Sequence, residues 1–257
     1  VRAPACDMPV TLLAPVCGIE PGIGRTLATF FAVEHPGLQL IFCADDPADP
    51  VLPLVRDLIG RHPGTDATLL IGADRVSGNP KLNNLVKGWR AARGRFVIMA
   101  DSNQLLPPDY VGQLLERLRP GVGLVSSPAV GVEPVGPWAR VEAAFLNTHQ
   151  ARWQLAADSA GTGFAQGKTL GWRREVLDRA GGPAALGRDL AEDVGSTKVV
   201  RAAGLSVRLP RMPFAQPLGQ RSRATVIGRQ LRWARIRRAG FPALYAAEIA
   251  SGAFLPV

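Results

Sequence analysis

Five short apolar runs recur along the first half of the chain, at 9–16, 38–44, 67–71, 95–100 and 123–127, and they carry almost no polar interruption. Between them lie stretches with helical spacing, at 22–33, 50–61, 82–92 and 108–118, the last with a proline at its start. A strand buried on both faces has no reason to alternate polar with apolar residues. Strands of that kind, separated by helices, predict a mostly parallel sheet with helices on both faces, an α/β fold. After Pro128 the pattern changes. A long helical stretch spans 138–158, with Trp138, Val141, Phe145 and Leu146 at helical spacing. A glycine-rich segment (161–167), a strand (169–173), a helix (190–202), a strand (205–209) and a basic helix (225–238) follow. With no linker, internal repeat or low-complexity segment, the reading is one continuous α/β unit with an elaborated second half.

At 257 residues and 47% hydrophobic composition, the chain has enough apolar material for a sizeable core. Cys6, Cys17 and Cys43 lack any pairing or C-x-x-C pattern, which argues against a disulfide framework or structural zinc. His35, His62 and His149 are too scattered for a histidine-rich metal site. The formal charge of +9 points to an anionic partner. Most of it is local: residues 221–257 hold seven arginines and one acid, a net +6, which leaves +3 for the first 220 residues. A nucleic-acid-binding module is therefore disfavoured. The body has no basic patch with interleaved aromatics, and acids stand where a phosphate backbone would pass. No signal-peptide pattern opens the chain. The stretch 241–257 is apolar except for Glu248 and Ser251, and it reads either as a core or interfacial helix or as the start of a membrane segment.

In open parallel sheets, ligands bind beyond the carboxyl ends of the strands. Asp45, Asp46 and Asp49 follow the second apolar run, and Asp101-Ser102-Asn103 follows the fourth. Each cluster could be turn and cap residues alone; acids at both strand ends favour a site. Asp101 with the carbonyl oxygen of Asn103 suits Mg²⁺ or Mn²⁺ held against a diphosphate. In Gly78-Asn79-Pro80-Lys81-Leu82-Asn83-Asn84, Lys81 stands ready to neutralise phosphate, or the loop is an Asn-rich helix cap. Ala191-Glu192-Asp193 reads as a helix N-terminus or as a general base for an acceptor hydroxyl. Arg229 and Arg232 share a helix face and could clamp a pyrophosphate, with Trp233 offering a flat apolar surface. A solvated basic face is the plainer alternative.

Taken together and in this order, these pieces resemble a processive-type GT-A glycosyltransferase with the D, D, D, (Q/R)xxRW signature. The resemblance is closer still to the ceramide glucosyltransferase family, family twenty-one of the glycosyltransferases. The residues that carry it are Pro15-Val16-Cys17-Gly18-Ile19-Glu20, Ala48-Asp49-Pro50, Asn79 to Asn84, Ala100-Asp101-Ser102, Ala191-Glu192-Asp193 and Arg229-x-x-Arg232-Trp233. Asn147 to Trp153 and Gly163 to Lys168 look like the bacterial branch. The second motif departs from the family pattern, since Asp-Ser-Asn lacks a second carboxylate.

The resemblance implies a Rossmann-like GT-A catalytic domain over 1–240, with a nucleotide-sugar half at about 9–128 and an acceptor half at about 129–240. It makes 241–257 the start of a membrane or interfacial segment. It also implies an inverting transfer of glucose from UDP-glucose to the primary hydroxyl of ceramide, at the cytoplasmic face of a bacterial inner membrane. Asp45, Asp46 or Asp49 would contact uridine, with Asn79 and Lys81 also on the donor side. Asp101, with Asn103, would hold the metal, and Asp193 would be the base. Arg229, Arg232 and Trp233 would hold the diphosphate. His149, Glu192 and Trp233 would face the acceptor, although a lone His149 is equally well explained as a packing residue. The expected partners are a UDP-sugar, a lipid acceptor and a membrane surface, with no nucleic acid and no obligate protein partner. The same signature also serves transferases of galactose or glucuronate to ceramide or diacylglycerol, and polysaccharide synthases. With Asp101, Asp193 and Arg232 all present, a catalytically dead scaffold is disfavoured.

Overall fold

The apolar runs become the strands they predict. In the computed structural model, which describes residues 8–253, β1 (Val10–Pro15), β2 (Gln39–Ala44), β3 (Asp66–Ile71), β4 (Phe96–Ala100) and β5 (Val122–Ser127) form in chain order. They are followed by β6 (Ala129–Val135), β7 (Thr169–Arg173), β8 (Ser206–Arg208) and β9 (Phe214–Gln220). The main sheet runs β3-β2-β1-β4-β7-β5-β8, parallel except for β7, which lies antiparallel between β4 and β5. The chain winds outward from β1 to β3 and then returns to β4 on the other side of β1. The strand order therefore reverses between β1 and β4, and their carboxyl ends open a crevice there. Because β7 runs backwards, its amino end meets the same crevice.

Two apolar layers cover the sheet. On one face, α1 (Ile23–Phe31), α2 (Leu52–Arg61) and α4 (Tyr110–Leu115) bring Leu27, Phe30, Val55 and Leu114 onto Leu12, Phe42 and Ile98. On the other, Leu85 and Trp89 of α3 (Pro80–Ala91), Leu177 of α7 (Arg174–Arg179) and Val200 of α8 (Glu192–Ala202) cover Leu13, Ile41 and Met99. The central strands are buried on both sides, which is why their sequence shows no alternation. Asn79 caps α3 by accepting the Leu82 N–H, and Pro80 occupies the first turn, where its missing N–H costs nothing.

The second half is less regular than its sequence pattern suggests. The helical stretch runs as α5 (Pro137–Ala144), a π-helical turn (Phe145–Gln150) and α6 (Ala151–Ser159). A short 3₁₀ turn (Pro183–Arg188) precedes α8. Sequence periodicity misses β6 and β9. They form a separate two-stranded parallel ribbon, and Pro134 and Pro217 break the apolar-run pattern within them. The basic helix is α9 (Arg223–Gly240), begun by a Ser222 cap on the Thr225 N–H, and α10 (Pro242–Ala253) follows. Among the described residues no helix is long and apolar enough to cross a membrane; the expected segment 241–257 lies partly outside them.

The packing of α3 on the sheet depends on Gly88. A Cβ there would stand 2.6 Å from Cys43 Sγ and 3.3 Å from Leu13 Cδ2. An exposed helical Gly→Ala change usually stabilises by about 1 kcal/mol. Gly88→Ala is expected instead to destabilise by ~1–3 kcal/mol through overpacking. Urea denaturation would show the loss, and a Cys43→Ala background should recover most of it.

Candidate active site

At the crevice, α3, β4, β7 and α8 each contribute one end. Lys81, in the first turn of α3, places its ammonium 2.7 Å from Asp101 Oδ1, 2.7 Å from Glu192 Oε1 and 2.5 Å from the Gly167 carbonyl oxygen. Lys168, just before β7, reaches Asp101 Oδ2 at 2.9 Å and Asn103 Oδ1 at 3.1 Å. Asn79 Nδ2 donates to Glu192 Oε2 at 2.7 Å. Asp193 accepts from the Gly167 N–H at 3.2 Å and from the Val194 N–H at 2.8 Å. The structure thus brings Asn79, Lys81, Asp101, Asn103, Glu192 and Asp193 into one network. Gly167 and Lys168, to which sequence reasoning gave no role, join them. The glycine leaves room for the Glu192 carboxylate: a Cβ at 167 would lie 2.7 Å from Glu192 Oε1, which would have to shift.

The neighbouring carboxylates titrate apart. For Asp101, burial favours the neutral acid, but Lys81 and Lys168 outweigh it and hold the carboxyl down at about 2. For Glu192, burial again pushes upward and the Lys81 ammonium prevails, so its pKa is lowered. For Asp193, burial, then the charge of Glu192, raise the pKa to about 6; the Lys81 charge and the two backbone N–H groups lower it but do not prevail. Lys81 remains an ammonium, because Asp101 and Glu192 overcome its burial. Two groups are therefore fixed anions, and the third is a carboxylate poised to take a proton near neutral pH.

The Asp101 and Asn103 oxygens converge on one cation position, marked here by the Lys168 ammonium. Hard oxygen donors of this kind fit Mg²⁺ or Mn²⁺. Among the described residues no group of three or more His, Cys, Asp or Glu could enclose a metal. The remaining ligands would have to come from phosphate and water, as is usual for Mg²⁺.

The first acidic cluster divides its labour. Both Asp49 oxygens accept the Gly18 N–H, at 2.9 and 3.1 Å, and Oδ1 also takes the Val51 N–H at 2.9 Å. Asp49 thereby ties the loop after β1 to the start of α2. Asp46 accepts from the Ala48 N–H at 2.8 Å as a turn residue, and Asp45 is exposed.

On α9, Arg229 is ion-paired with Glu142 of α5, whose side chain is completely buried, and its guanidinium lies 5.9 Å from the Trp233 ring centre. Arg221 approaches the same carboxylate at 3.7 Å. Trp233 packs beside Ala143, Leu146 and Leu218, while Arg232 is exposed. His149 stands on the π-helical turn, edge-on to Phe145. The far end of α9 rests on α8, where a Cβ at Gly240 would meet Val194 at 2.7 Å. Between them lies a cavity of about 400 Å³, lined by Leu190, Val194, Ile236 and Ala239 and by the polar Asn79, Arg188 and Asp189.

A family model described as glycosyl transferase family 21 matches residues 2–257. The chain belongs to that family. Ceramide glucosyltransferase 1 of Caenorhabditis elegans is 27% identical over 241 residues, covering 93% of this chain and 52% of the relative. A ceramide glucosyltransferase of Candida albicans is 36% identical over 106 residues, covering 37% of this chain and 20% of the relative. The chain spans about half the length of the Caenorhabditis relative. Among solved structures, the mannosyltransferase PcManGT of Pyrobaculum calidifontis, in complex with GDP-Man and Mn²⁺, superposes with a TM-score of 0.70 at 20% identity. It covers 92% of this chain and 64% of that one. Glucosyl-3-phosphoglycerate synthase of Mycobacterium tuberculosis, with Mn²⁺ and UDP, gives 0.52 at 17% identity, covering 91% of this chain and 80% of that one. These neighbours are GT-A glycosyltransferases, and they establish the GT-A fold for this family 21 chain.

Two stability measurements probe the site of this family 21 protein. Asp193 has a native pKa of about 6, above its unfolded value, so its contribution is favourable at low pH and is lost as pH rises through 6. Relative to Asp193→Asn, the wild type should lose stability between about pH 4 and 6 and hold a constant difference above that, in denaturant titrations across the range. Glu142→Ala strands the Arg229 guanidinium, takes one of two acidic neighbours from Arg221, and should cost ~3–5 kcal/mol. Pairing it with Arg229→Met should restore much of that loss, as measured by thermal unfolding.

Proposed function

We propose that this chain is the catalytic region of an inverting hexosyltransferase that moves glucose from UDP-glucose to the primary hydroxyl of ceramide. The observation that carries this reading is the position of Asp193. It is a carboxylate poised near neutrality, hydrogen-bonded to the same glycine whose carbonyl holds Lys81 against Asp101. A base thus stands beside a phosphate-binding centre. The C. elegans and C. albicans relatives support the choice of sugar and acceptor.

In this reading the donor half, about 9–128, takes the nucleotide at the ends of β1, β2 and β4, with Asp45, Asp46 and Asp49 on the uridine side. Lys81 and Lys168 bring positive charge to the diphosphate. With Asp101 and Glu192 already neutralising them, the centre needs a further cation to accept a diphosphate. Mg²⁺ or Mn²⁺ at Asp101 and Asn103 would supply that charge neutralisation for the leaving UDP. Asp193 removes the proton from the acceptor hydroxyl as its oxygen attacks the anomeric carbon, and UDP departs from the opposite face. A single displacement inverts the configuration.

In this reading the acceptor approaches along α9, by the cavity that Leu190, Val194 and Ile236 line together with Asn79, Arg188 and Asp189; Asn79 in turn donates to Glu192. In the same reading Trp233 and His149 serve the acceptor side and Arg232 the leaving group, on a helix that the Arg229–Glu142 ion pair holds against α5. The remaining arginines of α9 suit an anionic membrane surface, each worth about 1 kcal/mol near headgroups.

The test is UDP release from a panel of UDP-sugars, with ceramide or diacylglycerol in detergent, with and without Mn²⁺ or Mg²⁺. Glucose transfer to ceramide is expected; release with another sugar or with diacylglycerol alone would reassign donor or acceptor. Asp193→Asn should retain UDP binding and lose turnover by ~10²–10⁴-fold. The wild-type kcat/KM should climb about tenfold per pH unit below pH 6 and level off above it. Near-normal turnover in the variant would remove Asp193 from the role.

A further inference from the structure

The two lysines at Asp101 are not equivalent. Lys81 uses its ammonium on three acceptors, Asp101, Glu192 and the Gly167 carbonyl, which hold it from three chain segments. Among the described residues Lys168 bridges two oxygens, Asp101 Oδ2 at 2.9 Å and Asn103 Oδ1 at 3.1 Å. Those are the two oxygens that fit a divalent metal. The backbone of Lys168 is fixed, since its carbonyl accepts the Asp101 N–H at 3.0 Å, but its side chain has rotatable bonds and, among the described residues, these two tethers.

We infer that Lys168 is a tethered counter-cation, which keeps the Asp101–Asn103 site closed to a divalent metal until a nucleotide diphosphate arrives. The inference rests on the glycosyltransferase reading above. A metal sits at about 2.1 Å from its oxygen ligands, so it cannot share this pair with an ammonium at its present distance. Two cations side by side also repel strongly where water is scarce. A diphosphate resolves both conflicts. Its oxygens offer the ammonium a new partner, and they complete a metal's coordination once the carboxylate and amide oxygens are released. Metal and nucleotide therefore bind as a coupled pair. Linkage requires that each strengthen the other by the same factor.

The experiment uses the whole chain and reads Mn²⁺ binding directly, from the electron paramagnetic resonance signal of free Mn²⁺, with and without saturating UDP. Wild type should bind Mn²⁺ at least about tenfold tighter with UDP, within the range of ordinary coupling between sites. Lys168→Met keeps the side-chain length without the charge, and Lys81 still neutralises Asp101. It should bind Mn²⁺ about tenfold tighter than wild type without UDP, and gain less from UDP. Lys168→Arg should retain the wild-type pattern. Calorimetric titration of UDP must show the reciprocal gain.

Equal Mn²⁺ affinities for wild type and Lys168→Met without UDP would overturn the inference. So would metal-free UDP binding that disappears in Lys168→Met, since Lys168 would then replace the metal outright. If UDP binds and Mn²⁺ binding ignores residue 168, the counter-cation alone fails. If wild type binds no UDP at all, the glycosyltransferase reading fails with it.

Discussion

The Lys81 ammonium holds the crevice together. It joins the end of β4, through Asp101, to the start of α8, through Glu192, and to the segment before β7, through the Gly167 carbonyl. Two carboxylates buried this close would repel each other and favour protonation. One ammonium between them keeps both ionised, and a buried pair that loses one partner is costly. Asn79 and Lys81 both lie at the start of α3, so the cap that begins the helix and the cation that organises the site come from one short segment. Glu192, held by both, is the charge that together with burial raises Asp193.

The second organising contact lies away from the crevice. The buried Glu142 carboxylate draws Arg221 and Arg229 inward and fixes the near part of α9 on α5. The glycine at the far end of α9 allows close contact with Val194 on α8. The helix thus crosses from one contact to the other. Arg232 and Trp233 lie between them, and the cavity sits at the α8 end. A strongly basic segment therefore holds arginines turned inward against a buried acid, Arg221 and Arg229, and exposed ones such as Arg232, Arg235 and Arg238. The overall charge of +9 does not distinguish them.

Much of this architecture is legible along the chain. The near-continuous apolar runs at 38–44 and 95–100 read as strands covered on both sides, and the structure shows them in the interior of a mostly parallel sheet. Placing acids after those runs led directly to Asp101. The ribbon of β6 and β9 was not legible, because its strands contain proline and pair across some 85 residues of intervening chain (Ala129 with Phe214). The antiparallel direction of β7 is likewise invisible to local pattern: an apolar run has the same composition in either direction.

Residue type and spacing alone determined the α/β class and the clustering of acids and cations at the strand ends. Those are consequences of burial and short-range geometry, which local sequence records. The pairing of those charges was decided only in three dimensions. Lys168 had no role assigned from the sequence, and Arg229 read as a pyrophosphate clamp or part of a solvated basic face. Folding set the first between Asp101 and Asn103 and the second against Glu142. Electrostatic partners are chosen by proximity after the chain has closed on itself, across separations of 65 to 87 residues here, and no periodicity carries that information.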